Sequence, residues 1–315
     1  MPFDVSIPVG GPAYLTFDSV TYQMASDWTV KEIMGTGEIT TNLQGTLEVR
    51  DETIGFDLVF TPLAIWGNLT KLFPYAKTSI GNLARGASDK PAVIQTKAGK
   101  SLTFAAGYVY ASPKISFATS PKKKLFGEMT IRCLIKTSSL PSASGAYVAI
   151  ASSAYSEPTL DPTTILSPRF TVAWGDTPST PFDGIETEDG VDFEAKYKWE
   201  DVTADSVGII NSRLTDLTAE ASLKPVNLTE SDYLSTFLGV SGSGSRGRGK
   251  RTPGGLFTCT GANTGDPILT MASAQAGPGG ISFGKGGRIT GLKLMAAQKA
   301  VTGVLQPLFA LTTQS

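Results

Sequence analysis

Apolar and polar residues alternate from Val191 to Trp199, VDFEAKYKW. Near the N-terminus VTYQMASDW, Val20 to Trp28, shares its first and last residue with that segment. Alternation with period two is the mark of a strand with one buried face. The residues beyond each segment keep a common order. After Trp28 comes a polar stretch, TVKEIMGTGEITTNLQG, then GFDLVFTP, with Phe56, Leu58 and Phe60 on one face and Pro62 at its end. After Trp199 come EDVTADSVGIINSRLTD and LTAEASLKP, with Leu217, Ala219, Ala221 and Leu223 on one face and Pro225 at its end. Both prolines precede helical spacing. Ile65, Trp66, Leu69, Leu72 and Phe73 are stopped by Pro74; Tyr233, Leu234, Phe237 and Leu238 are capped by Thr229 and closed by Gly239. Each half then continues with four strand-like segments, from PAVIQT to FGEMTIRCLIK and from GLFTCTG to RITGLKLMA.

The shared order predicts a mostly β protein made by tandem duplication: two β-sandwich or barrel domains, each with one short α-helix and long loops. Two unrelated β-rich halves are the alternative. The tripeptide ISF recurs at Ile115 and Ile281 at similar distances after the two prolines, and ILSPRFTVA rhymes with VLQPLFALT at the ends. The first domain is expected over 1–175, with a Ser/Pro-rich insertion near 138–168 whose YVAIASSAY predicts a strand or hairpin. Beyond it a linker is expected over 176–190 and a second domain over 191–315.

Composition narrows the function. Of the 315 residues 41% are apolar and only 17% charged, below the roughly 25% usual for soluble domains, so much surface is expected to be hidden in an assembly. A net charge of -1 gives no general attraction to nucleic acid or anionic membrane. The chain has no histidine, which removes Ser-His and Cys-His catalysis and histidine metal sites. An enzyme is not expected, and no cofactor or metal. Cys133 and Cys259 sit in apolar segments and read as buried thiols. MPFDVSIPVGGP does not resemble a secretory signal, no apolar run is long enough to span a membrane, and synthesis in a cytoplasm is expected.

Chemical motifs are weak. GGISFGKGG has phosphate-loop spacing at Gly279, Gly284 and Lys285, but Gly286 stands where a magnesium-binding hydroxyl belongs, so a turn is expected. IETEDGVDFE offers Glu186, Glu188, Asp189, Asp192 and Glu194 without calcium-loop spacing and reads as a hydrated acidic surface. NLT at Asn68 and Asn227 fits the helix starts. The loop SGSGSRGRGKRTPGG carries Arg246, Arg248, Lys250 and Arg251; a basic loop in the matching place of the first half, IGNLARGASDKP, suggests that both order against a neighbouring subunit.

This element order resembles the tail-tube fold of long-tailed bacteriophages, including members that carry the domain twice and build trimeric, pseudo-hexameric rings. The likeness covers nearly the whole chain as element order and has no sharp residue motif. It implies two tail-tube-like domains and a structural virion protein of the tail, whose rings stack into a tube that DNA traverses. Its partners would be itself and other tail proteins, such as tape-measure, terminator and distal tail proteins, with DNA in non-specific transit and no membrane. Ring-to-ring contacts are then expected in the polar stretches, at Thr29, Lys31, Glu32, Ile33, Met34, Glu38 and Asn42, and at Glu200, Asp201, Asp205, Ile209, Asn211 and Arg213. The loop of Arg246, Arg248, Lys250 and Arg251 would contact a neighbouring subunit, and Lys122–Lys124 would lie away from the bore or be neutralised. The competing reading is a monomeric β-sandwich binding module or virion adhesin that recognises carbohydrate through an aromatic patch drawn from Trp28, Trp66, Trp174 and Trp199.

Overall fold

The computed structural model describes residues 13–25, 28–33, 36–41, 45–51, 55–66, 68–86, 90–118, 124–134, 148–156, 169–175, 184–204, 208–228, 254–285, 289–298, 300–301 and 303–313. These residues are mostly β, and every strand pairing among them is antiparallel. No helix among them is long and apolar enough to cross a membrane.

Numbered in chain order, the first sheet runs β13 (Val148–Ser152), β9 (Lys100–Phe104), β8 (Ala92–Thr96), β1 (Ala13–Phe17), β2 (Val20–Met24) and β7 (Pro62–Trp66). A second runs β10 (Gly107–Ala111), β12 (Met129–Leu134), β6 (Gly55–Phe60) and β3 (Thr29–Ile33), and the hairpin of β4 (Thr36–Thr41) and β5 (Gly45–Asp51) continues from β3 and β6. The largest sheet runs β11 (Ile115–Phe117), β15 (Thr187–Ala204), β16 (Gly208–Pro225), β19 (Ile289–Ala296), β18 (Pro267–Phe283), β17 (Gly254–Gly261) and β14 (Phe170–Gly175), with β22 (Ala310–Thr313) also on β18. A short ladder joins β20 (Ala300–Val301) to β21 (Val304–Leu305).

One strand order occurs twice. The run β13-β9-β8-β1 is matched by β22-β18-β17-β14, and β10-β12-β6-β3 by β18-β19-β16-β15. The two runs are separate sheets in the first half because the chain bends at Ala105 and Ala106, between β9 and β10. In the second half β18 continues through the corresponding place and serves both. The prolines fix the correspondence, since Pro62 faces Met24 and Pro225 faces Thr187. β14 lies within 1–175, yet it is hydrogen-bonded to β17.

Three expectations change. The polar stretches after Trp28 and Trp199 are not loops: they supply β3 and β4 in one half and the end of β15 with the start of β16 in the other. Threonines, valines and isoleucines among their charges suit an exposed ladder, which needs backbone partners rather than apolar side chains. The helix expected after Pro62 is instead β7 and then one 3-10 turn, Leu69–Leu72. Asn68 caps that turn by accepting from the Thr70 N–H, and Pro74 lacks the N–H to prolong it, so four residues remain. The second expected helix, from Thr229 on, lies outside the described residues. Finally, the two tryptophan segments are out of register. Thr29 faces Val59 and Asp192 faces Ser222, each three residues before its proline, so Trp28 corresponds to Val191 and not to Trp199.

The core is a continuous apolar layer that includes Leu15, Tyr22, Phe60, Phe104, Trp174, Phe193 and Phe257. Both cysteines are buried free thiols, and burial pushes them well above their ordinary pKa, with the charge of Asp57 adding to the effect at Cys133. Tyr22 packs edge-on against Phe60, 5.6 Å between ring centres, and its hydroxyl finds no hydrogen-bond partner among the described residues. An unmet buried hydroxyl costs about 1–3 kcal/mol. Tyr22→Phe is therefore expected to leave stability unchanged or raise it by about 1 kcal/mol, read from urea unfolding midpoints; a loss above that size would show an unseen partner.

Candidate assembly interface

The β15–β16 hairpin has strands of 18 residues, about 60 Å at ~3.3 Å per residue, against the usual 5–6 residues. At its base Val191, Phe193, Ala195, Leu217, Ala219, Ala221 and Leu223 turn one face into the core. Beyond Trp199 it leaves the core and is held by other parts of the chain.

Residues 81–85 act as one holding strap. They lie along β16 where β19 does not reach: Gly81 and Ala84 N–H donate to the carbonyls of Leu214 and Ser212 at 2.8 and 2.7 Å, and Leu214 N–H donates to Asn82 at 3.1 Å. The Asn211 side chain clamps Arg85, accepting from its N–H and donating to its carbonyl at 3.0 and 3.1 Å.

A polar and aromatic cluster holds the other side. Arg132 on β12 makes a two-pronged bond to Asp57 on β6 at 2.8 and 2.9 Å, and reaches Asp201 on β15 at 3.7 Å. Its guanidinium lies 3.6 Å over the Tyr110 ring, which stacks on Trp199. The Trp199 indole donates to the Tyr110 carbonyl at 2.8 Å. Ser212, fully buried, donates to Asp201 and is 2.7 Å from the Tyr108 hydroxyl. Burial opposes the charge of Arg132, but hydrogen bonding and attraction to Asp57 outweigh it and hold the guanidinium above its ordinary range. Burial likewise raises the phenols of Tyr75, Tyr108 and Tyr197.

A third contact joins the halves through the backbone. β11 lies on β15 with Ile115 opposite Phe193 and Phe117 opposite Val191, all four fully buried. Ser116 donates to Asp192 at 2.6 Å, and Lys114 pairs with the same carboxylate at 2.9 Å. Gly190, at φ 92°, allows the approach, because a Cβ there would lie 1.9 Å from the Phe117 carbonyl oxygen. By contrast, the outer edge of β3, the counterpart of β15, carries no strand among the described residues.

The expected contact residues thus divide. Thr29, Lys31, Glu32 and Ile33 lie on β3, Thr29, Lys31 and Glu32 being exposed there, and Glu38 lies on β4 opposite Val49. Glu200 and Arg213 are exposed and face each other across the hairpin, and Ile209 is half-buried near its tip. Asp201 and Asn211 make their hydrogen bonds inside the chain. Met34, Asn42, Asp205, Arg246, Arg248, Lys250, Arg251, Lys122 and Lys123 lie outside the described residues. The three tryptophans whose side chains are described do not share one patch: Trp174 is buried and donates to the Ala274 carbonyl, Trp199 belongs to the hairpin cluster, and Trp28 is half-buried against the core.

The acidic run is distributed over lysines. Asp189 binds Lys224, Asp192 binds Lys114 and Glu194 lies 3.2 Å from Lys196. Glu220 sits between Lys196 and Lys293 at 2.9 and 2.8 Å. A surface whose cations are already matched offers little grip to a polyphosphate. Sequence reasoning missed the Arg132–Asp57 pair, although both stand alone in otherwise apolar strand segments, and it missed the joint at Gly190, which leaves no signal in side-chain pattern. No protein-family model matches the chain, and no curated protein matches it.

Two outcomes are expected. Arg132→Ala leaves Asp57 without its buried partner and should cost about 3–5 kcal/mol in urea unfolding, whereas replacing both residues by apolar ones of similar volume should cost much less. Burial raises the Glu220 carboxyl, but its two lysines outweigh that and hold it below the ordinary 4.5. Its stabilisation is complete above pH 4.5 and is lost as pH falls through the lower folded value. Glu220→Gln should therefore weaken the acid dependence of unfolding in that range; an unchanged acid limb would show that the lysines do not hold it.

Proposed function

We propose that this chain is a structural virion protein that polymerises into stacked rings, trimeric and pseudo-hexameric, forming a phage tail tube through which DNA passes. In this reading the chain is a duplication of one β unit, with the seam falling before β14. The observation that carries it is the twice-used strand order, with a strand from the first unit already hydrogen-bonded to the edge of the second.

An antiparallel edge with open N–H and C=O groups pairs readily with another chain. A unit that places one of its strands on an edge of the next unit makes a head-to-tail joint, and such joints close into rings when the rotation permits. The β3–β6 pair, with the β4–β5 hairpin that lies between them in the chain, and the 18-residue strands of β15–β16 suit contact between rings. The neutralised lysines around Glu220 suit a surface past which DNA slides. Other tail proteins would meet the tube at its two ends, whose exposed edges differ.

Purified protein viewed by negative-stain microscopy and measured by light scattering is expected to show rings or tubes at high concentration. A particle that stays at 33.1 kDa under those conditions overturns the reading.

A further inference from the structure

In the second half a row of facing residues crosses five strands: Ala276, Leu294, Ala221, Phe193 and Ile115, on β18, β19, β16, β15 and β11. All five are buried. The matching row in the first half is Val109, Ile131, Leu58 and Val30, on β10, β12, β6 and β3. Leu58 and Ala221 stand at the same distance before their prolines, so Val30 is the counterpart of Phe193. The first three members are buried, but Val30 is 37% exposed, because no fifth strand covers it among the described residues.

The missing strand has a counterpart elsewhere in the molecule. Met129 faces Phe60 and Leu292 faces Leu223, each of those partners two residues before its proline. Three residues upstream of Met129, Phe126 bridges to Ile115; three residues upstream of Leu292, Ile289 pairs with Phe283. Phe283 therefore stands in the second half where Ile115 stands in the first. Ile115 is fully buried in the joint with β15, while Phe283 is 48% exposed at the end of β18. The two apolar residues whose counterparts make the internal joint are thus the two left partly uncovered.

We infer that the end of β18 around Phe283 in one copy of this chain pairs antiparallel with the outer edge of β3 in a second copy, placing Phe283 opposite Val30. The occupant is a second copy because the chain itself contains the same joint between its own halves, β11 on β15. The pairing fills the fifth place of the row, covers both apolar residues and meets the β3 backbone, as β11 does for β15. It rests on the self-assembly proposed above and names the surfaces that would carry it. Since the two surfaces differ, each copy keeps one of each free after pairing, and association continues in one direction.

Facing residues in an antiparallel pair have Cβ atoms about 4.5–5.5 Å apart, near the reach of a disulfide. The natural cysteines are buried and do not compete. A mixture of Val30→Cys and Phe283→Cys proteins, each checked for unaltered melting, is expected to oxidise to a disulfide-linked heterodimer. Mixing Val30→Cys with Ile150→Cys, another exposed edge position at 67%, should not. Equal linking in both mixtures would overturn the joint. So would rings or tubes in the microscope with no Val30–Phe283 link, an outcome that leaves self-assembly standing. Wild-type protein that remains monomeric when concentrated would overturn both.

Discussion

The structure depends on one requirement: each backbone donor and acceptor of an antiparallel strand needs a partner, and a sheet edge is where partners run out. Along β15 and β16 this chain meets the requirement with its own distant segments. β11 crosses from the first half to lie on β15, and the strap at 81–85 lies on β16 where β19 stops. Gly190 is what the first arrangement demands of the sequence, since any side chain there would strike the Phe117 carbonyl. The Arg132–Asp57–Asp201 cluster serves the same end from the side-chain direction, holding the sheet of β10, β12 and β6 against the emerging hairpin.

The β class, the strands around Phe56–Phe60 and Leu217–Leu223, and the punctuating prolines were legible because each arises from local alternation or from a missing N–H. The duplicated strand order was legible in outline, but for a partly wrong reason. The tryptophan segments that suggested it are eight residues out of register, and the similar endings fall in β14 and β22, which occupy different places in the repeated order. Alternation repeats every two residues, so a local likeness can slide along a strand without loss, whereas a pairing register cannot. The proline–strand junction gave the right alignment because it fixes a particular backbone position.

The candidate interface was much less legible. Polar stretches read as loops turned out to be ladders, because exposed strands are held by main-chain bonds that no side-chain pattern announces. Asp201 and Asn211 were expected in ring-to-ring contacts, yet within the chain they are bound to Ser212 and Arg85, whose proximity only the folded chain reveals. Val30 belongs to no motif, and the ISF tripeptide that ends at Phe283 sets Ile281, not Phe283, against Ile115. Val30 and Phe283 become distinctive only when each is compared with the residue occupying its place in the other half.

The crossing of β11 onto β15 has a kinetic consequence. Its two strands are tethered by the polypeptide between them, so they meet at an effective concentration set by that tether and independent of how much protein is present. A shorter polypeptide holding a single unit would have to form every such contact by diffusive collision. In the assembly proposed above, one contact of the kind is completed when the molecule folds, and only the intermolecular one would respond to dilution.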